Sequence, residues 1–241
     1  MIQKNDFIEI EYTGKTKEEG IVFDTTIEQV AKDNDITDEN ASYGPTVICV
    51  GHSQIIAGLD NNLAGKEIGK DYTITLQPEE AFGKKSAKLV QLIPFRKFTQ
   101  QQIMPQIGLQ VNIDGNNGII KTVSGGRVLV DFNHPLSGKV IEYDVKILRK
   151  VEDDNEKLKS YIKVFLGNDV SAEIKEGRAI VELPMEMEQP IALEFSKAIQ
   201  EAIPAIKEVE FRKIEKKEKT EKKEEKSKEE NSESKKEPTV K

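Results

Sequence analysis

Residues 128–148 read VLVDFNHPLSGKVIEYDVKIL, and their reading decides the fold. An apolar run enters Asn133-His134-Pro135, a Ser137-Gly138 turn follows, and a second strand pattern, VIEYDVKIL, leaves it. That second strand is the natural partner of FIEIEY at residues 7–12, which alternates apolar and polar in the same half-buried manner. The two lie more than a hundred residues apart, so the segment closes a sheet begun at the N-terminus. The chain therefore reads as one domain interrupted by another, with the interruption opening just after AFG at 81–83.

Working outward, GIVFDTT (20–26) is a short strand, and residues 27–45 are a polar loop with room for one helical turn. TVICV (46–50) is a further strand beginning after Pro45. From Ser53 the period changes: Ile55, Ile56, Leu59 and Leu63 share one face of a short helix that Gly65 ends. KDYTITL alternates again and stops at Pro78. Residues 84–131 carry their own small β pattern, punctuated by turn signals at Asn116-Asn117-Gly118 and Ser124-Gly125-Gly126.

After Leu148 a charged linker is expected over residues 149–154. Leu158, Tyr161, Ile162, Phe165 and Leu166 then fall on one helical face, and VSAEIK and RAIVELP form a hairpin around Glu176-Gly177. A second helix starts at Pro190 and a last strand covers KEVEFRKIE, an αββαβ order. Residues 214–241 are nearly all Lys, Glu and Ser, too poor in apolar surface to offset their ordering entropy, and are expected to be a disordered charged tail.

The net charge of −7 speaks against nucleic acid as a main partner, and no stretch approaches membrane-spanning length. The lone Cys49 excludes an internal disulfide and fits a reducing cytoplasm. His52 and His134 have no ligand spacing, so no metal is expected, and no nucleophile or phosphate-binding motif occurs. A turn or cap is the expected role of His134.

Taken in order, IEYTG (10–14), VFDTT (22–26), VGHSQIIAGLDNNLAG (50–65), EEAFGKK (79–85) and VDFNHPLSGKVIEYDVKIL (130–148) resemble the FKBP-type peptidyl-prolyl isomerases, close to the SlyD-like, long archaeal type. The resemblance implies an α+β chain in four parts. An antiparallel β half-barrel wraps a short helix over residues 1–84 and 132–152. A β-rich insert-in-flap chaperone domain interrupts it at 85–131, a C-terminal α+β domain covers 154–213, and the tail follows.

It also implies a cavity for the proline of an X-Pro peptide, with no cofactor. Tyr12, Phe23 and Tyr143 become its walls, Asp24 its polar edge, Ile55 and Ile56 the helix entry, Leu59 the floor and Phe82 the lid. Thr46 and Ile48, on the strand leading to the helix, are expected contacts for bound polypeptide. Leu59 stands where many members have Trp, Phe82 where many have Tyr, and Thr46 where the family has an apolar residue. These departures bear on macrolide affinity more than on isomerisation.

The insert is rich in apolar side chains for its size, among them Leu92, Ile93, Phe95, Phe98, Ile103 and Met104. A unit so small cannot bury them all, and exposed apolar patches bind something; the resemblance makes that unfolded or proline-containing polypeptide. The competing reading is a non-catalytic holdase on the same fold. The apolar helix faces of the C-terminal part suggest a homodimer contact or a second polypeptide-binding surface. Metal delivery is disfavoured because the tail has neither His nor Cys.

Overall fold

The structure, a computed structural model, describes residues 1–38, 41–167 and 170–213. The expected tail at 214–241 lies outside them.

The elements follow in chain order. They are β1 (Phe7–Thr16), β2 (Val22–Thr25), α1 (Glu28–Asp33), β3 (Thr46–Cys49), α2 (Ala57–Leu63) and β4 (Asp71–Leu76). Then come β5 (Val90–Pro94), α3 (Phe95–Gln100), β6 (Gln110–Ile113), β7 (Asn116–Ser124), β8 (Arg127–Asp131) and β9 (Ile141–Val151). The chain continues with α4 (Asp154–Leu166), β10 (Ser171–Lys175), β11 (Arg178–Leu183), α5 (Gln189–Ala202) and β12 (Glu208–Lys213).

The first sheet runs β2-β1-β9-β4, with β3 also on β1, and every pair in it is antiparallel. Its spine is the pairing of β1 with β9, from Phe7↔Val151 to Thr16↔Ile141. One edge of β1 serves two partners, β3 over residues 7–10 and β2 over 13–15, which curls the sheet. Ile8, Ile10, Ile74, Leu76, Val145 and Ile147 pack on Leu59 and Leu63 of α2.

Phe7 and Ile8 are both buried although they face opposite sides. The reason is a cross-strand row, Phe7↔Cys49 and Phe7↔Val151, that makes the back of the sheet apolar. Leu158, Tyr161 and Ile162 of α4 cover that row.

The C-terminal unit thus shares one hydrophobic cluster with the barrel, and the expected linker over 149–154 does not exist. Residues 149–151 belong to β9, Val151 is core, and Asp153 caps α4 by accepting from the Glu156 N–H at 2.7 Å. Arg149 ties the two parts at the surface, donating to Glu9 at 2.7 Å and to Glu156 at 3.1 Å. Beyond α4, β10 and β11 form the expected hairpin and β12 joins β11 in parallel.

The insert is a second antiparallel sheet, β5-β8-β7-β6, over a core of Phe98, Val111, Ile113, Ile120, Val128 and Val130. One reading of this segment needs correction. Asn116-Asn117-Gly118 is not a turn but the start of β7; the β6–β7 turn is Asp114-Gly115, whose φ values of 52° and 83° suit a two-residue hairpin. The segment also holds a helix, α3, set off by Pro94 as its N-cap.

The two chain crossings into the insert are stitched together. The Asn133 side chain accepts from the Ser86 N–H at 2.8 Å and donates to the Ser86 carbonyl at 3.1 Å and to Asp131 Oδ1 at 2.7 Å. Gly138 N–H donates to the Gly83 carbonyl at 2.8 Å.

The helix α2 is shorter than its periodicity predicts. Ser53 sits at φ 54° and Ile56 is the N-cap, so Ile55 and Ile56 precede the helix rather than forming its first turn. Within it, Gly58 has a positional reason: a Cβ there would lie 2.3 Å from the Glu80 carbonyl oxygen. Gly58→Ala should therefore destabilise the protein by about 1–3 kcal/mol through overpacking, against a helix-propensity gain of about 1 kcal/mol. Urea unfolding measures the sign; a more stable variant would remove the close-approach explanation.

Candidate functional site

The face of the first sheet that packs on α2 holds, at its open end, a cavity of about 360 Å³ lined by Tyr12, Asp24, Gln54, Ile55, Ile56, Leu59, Phe82 and Tyr143. Strand alternation supplies most of it: Tyr12 and Tyr143 project from β1 and β9 toward the face that carries Ile8, Ile10, Val145 and Ile147. Their rings meet edge to face at 5.8 Å. Phe23 of β2 packs edge-on against both Tyr143, at 5.9 Å, and Phe82, at 5.6 Å. Gly14 makes this possible, because a Cβ there would lie 2.6 Å from Tyr143 Cε1 and 3.0 Å from Phe23 Cζ.

Phe82 is held from outside. Its ring stacks parallel on His134, with centroids 4.7 Å apart and planes 2° from parallel. The Ser137 hydroxyl donates to its carbonyl at 2.9 Å. His134 also completes its own turn, with Nδ1 accepting from the Leu136 N–H at 3.2 Å and its carbonyl from the Ser137 N–H at 2.9 Å.

Asp24 is the polar group of the cavity. Burial raises its pKa, and hydrogen bonds from the Tyr12 side chain and the Thr25 backbone oppose that rise without cancelling it. Burial likewise raises the Tyr12 and Tyr143 hydroxyls, with the Asp24 carboxylate adding to both, so both phenols stay protonated donors.

A carboxyl whose folded pKa lies above its unfolded one favours folding at low pH and opposes it once ionised. Asp24→Asn is therefore expected to raise the melting temperature at pH 7, with the gain vanishing as pH falls toward 4. Melting curves across that range check it; a loss at pH 7 would mean that the ionised carboxylate is net stabilising.

The structure brings Tyr12, Asp24, Ile55, Ile56, Leu59, Phe82 and Tyr143 onto one cavity, with Phe23 behind two of its rings. It does not bring Thr46 or Ile48 there. Ile48 is 1% exposed in the barrel core, so its expected contact with polypeptide is corrected to a packing role; Thr46 is half-buried on β3. Phe98 is corrected likewise, since it is the 0% exposed centre of the insert core. Ile93, Phe95 and Ile103 are half-buried against that core, whereas Leu92 and Met104 stand 58% and 69% exposed.

One lining residue, Gln54, was missed. Its Oε1 accepts from the Cys49 N–H at 2.5 Å, and its Nε2 is buried without a partner among the described residues. The helical reading of residues 53–63 hid it, because it placed Gln54 on the polar face.

A larger cavity, about 670 Å³, lies between the outer β6–β7 surface and residues 132–135. It gathers the exposed amide side chains of Gln110, Asn112 and Asn117, whereas the aromatic cavity combines apolar walls with a few convergent polar groups and is the better candidate for chemistry. Among the described residues, no three His, Cys, Asp or Glu side chains are grouped to hold a metal ion, and no helix is long and apolar enough to cross a membrane.

Two family models match the chain. FKBP-type peptidyl-prolyl cis-trans isomerase covers residues 1–98, and the FKBP26 IF domain covers 91–136. A short-type peptidyl-prolyl cis-trans isomerase of Methanocaldococcus jannaschii is 33% identical over 147 residues, 61% of this chain and 92% of that relative. The FKBP-type 16 kDa isomerase of Escherichia coli is 34% identical over 109 residues, 43% of this chain and 72% of the relative. The SlyD isomerase of Helicobacter pylori is 32% identical over 126 residues, 50% and 68% respectively.

Proposed function

We propose that this chain, which belongs to the FKBP-type peptidyl-prolyl cis-trans isomerases and is an enzyme of that class, twists the X-Pro bond in the cavity beneath Phe82. The single observation that carries this assignment is the convergence of seven expected residues on one aromatic cavity with a perturbed carboxyl at its edge.

The chemistry needs no covalent step. Amide resonance sets a rotation barrier of about 18–20 kcal/mol. The planar amide is the more polar state, and twisting breaks resonance and reduces charge separation. An apolar enclosure of Tyr12, Phe23, Leu59, Phe82 and Tyr143 therefore favours the twisted state relative to the planar one. The Ile56 N–H holds a flanking carbonyl. Asp24, oriented by Tyr12, sits at the edge where the carbonyl carbon and nitrogen pass.

Residues 1–84 with 132–152 form the isomerase domain, 85–131 a chaperone domain and 154–213 a third domain. The chaperone domain takes unfolded polypeptide on Leu92 and Met104, with the exposed edges of Ile93, Phe95 and Ile103 beside them; polypeptide is the only partner the reading requires. Exposed Phe165, Ile191 and Leu193 give the C-terminal domain an apolar surface for a second copy of the chain. The buried Cys49 thiol, its pKa pushed up to about 12 by burial, is a packing residue rather than a reactive thiolate, and the chain is assigned to the cytoplasm on its single cysteine alone.

Two substrates test the reading. An X-Pro tetrapeptide reports the cavity alone, and a protein with a proline-limited refolding phase reports cavity and insert together. Acceleration of both, the protein more efficiently than the peptide, is the expected result. No acceleration of either would leave only a polypeptide-binding scaffold.

A further inference from the structure

The loop that joins β3 to α2, residues 49–56, faces two ways. On one side it presents Gln54, Ile55 and Ile56 to the aromatic cavity. On the other it meets the C-terminal unit. Two of its residues, Gly51 at φ 85° and Ser53 at φ 54°, are in the left-handed region, which is costly for Ser53, and side-chain ties add to backbone bonds such as His52 N–H to the Cys49 carbonyl in holding the loop.

Two of those ties are internal to the barrel. The Asp60 carboxylate accepts from the Gly51 N–H at 2.8 Å and from the Ser53 N–H at 3.0 Å, and Gln54 Oε1 accepts from the Cys49 N–H.

The third tie crosses to another part of the chain. His52 Nδ1 lies 3.3 Å from the Tyr161 hydroxyl oxygen of α4, and Nε2 lies 3.2 Å from Asn5 Oδ1. The rings of His52 and Tyr161 meet edge to face at 5.8 Å. Tyr161 itself cannot drift. It is 2% exposed, packed between Phe7 of β1 and the rings of Phe165 and Phe195. Among the described residues it supplies the one side-chain hydrogen bond from the C-terminal unit to this loop.

We infer that Tyr161 is a positioning residue for isomerisation, acting through His52 to fix the loop that carries Ile55 and the Ile56 N–H. The C-terminal unit is then part of the catalytic architecture. The inference rests on the cavity being the isomerisation site. Its physical basis is that a donor aimed at a substrate carbonyl must be held within about 0.5 Å, and a loop with two left-handed residues relaxes when a tie is cut.

The test uses the full chain with Tyr161→Phe, which keeps the ring in the joint and removes only the hydroxyl. kcat on an X-Pro tetrapeptide should fall about 3- to 10-fold, the worth of one ordinary hydrogen bond expressed as a ratio, with KM nearly unchanged. His52→Leu, which also removes the Asn5 contact, should lose at least as much, and the double variant no more than His52→Leu alone, because both cut the Tyr161 tie.

The pH profile supplies a readout that simple loosening of the joint does not move. His52 is held below its ordinary pKa by burial, with Lys4 acting in the same sense and Glu201 and Asp60 opposing it. Asn5 and Tyr161 are its polar neighbours. Removing the hydroxyl that donates to neutral Nδ1 should shift the acidic limb of kcat toward higher pH.

Three results overturn the inference or its premise. Wild-type kcat and KM in Tyr161→Phe at every pH, with Phe23→Ala/Asp24→Ala inactive, would remove the positioning role and leave the cavity assignment intact. Additive losses in the double variant would mean that Tyr161 acts by another route. Full activity in Phe23→Ala/Asp24→Ala would remove the cavity assignment and this inference with it.

Discussion

Phe23→Ala/Asp24→Ala should lower kcat/KM on an X-Pro tetrapeptide about 100-fold, with the protein still folded. Two losses combine. Removing a hydrogen-bonded carboxylate costs about 1.5–3 kcal/mol of specific interaction, and a factor of ten in rate corresponds to about 1.4 kcal/mol. Removing Phe23 takes away the ring that meets both Tyr143 and Phe82 edge-on, so two other walls lose their support. The two effects are coupled through Tyr12 and Tyr143 and should not simply add. Asp24→Asn separates charge from shape: it retains the geometry, and a loss close to that of Asp24→Ala would assign the effect to the carboxylate. A double variant within about threefold of wild type would place the reaction elsewhere on the chain.

On the proposed function, Phe98→Ala should separate catalysis of protein refolding from turnover of a tetrapeptide. Truncating a fully buried Phe costs about 3–5 kcal/mol, and a unit of fewer than fifty residues has roughly 2–7 kcal/mol of stability to lose. The insert should then melt locally while the barrel stands, because Phe98 shares its cluster with Val111, Ile113, Ile120, Val128 and Val130 and with no buried residue of the first sheet. Acceleration of a proline-limited protein refolding phase is expected to fall at least about tenfold, while tetrapeptide turnover stays near wild type. Equal losses on both substrates would show that insert and cavity do not work as separable parts.

Most of the barrel was legible because its strands alternate and their bounding turns carry Gly or Pro. Tyr12, Asp24, Phe82 and Tyr143 sat in quotable motifs, and the structure gathers them on one cavity. Where alternation is not the governing signal, the reading slipped. Residues 149–151 are charged or aliphatic in a pattern that suits a linker, yet they extend β9, because Val151 is buried by α4 from outside the sheet. Asn116-Asn117-Gly118 carries turn chemistry, yet the turn falls at Asp114-Gly115, where both residues adopt positive φ. Gly118 lies in β7 for a packing reason, since a Cβ there would come 2.6 Å from Val130.

The site had its own blind spots. Ile55 and Ile56 continue the helical period of Leu59 and Leu63, but the left-handed Ser53 delays the helix until Ala57. Periodicity cannot see a backbone conformation set by Asp60 seven residues later. His52 could not be paired with Tyr161 from sequence at all, since 109 positions separate them and neither belongs to a shared motif.

The spine pairing of β1 with β9 also dictates the order in which the molecule assembles. Residue 7 meets Cys49 early but finds its β9 partner only when residue 151 exists, so at about 5–20 residues per second that edge of the first strand waits roughly 7–30 s on a ribosome. The insert waits far less, since its four strands all lie between residues 90 and 131; β6–β7 and β7–β8 close short loops, and β5 needs only β8. A nascent chain can therefore complete its insert while β1 still has an open edge and the aromatic cavity lacks Tyr143. In this topology the aromatic cavity cannot be complete until β9 returns, after more than half of the chain has been made.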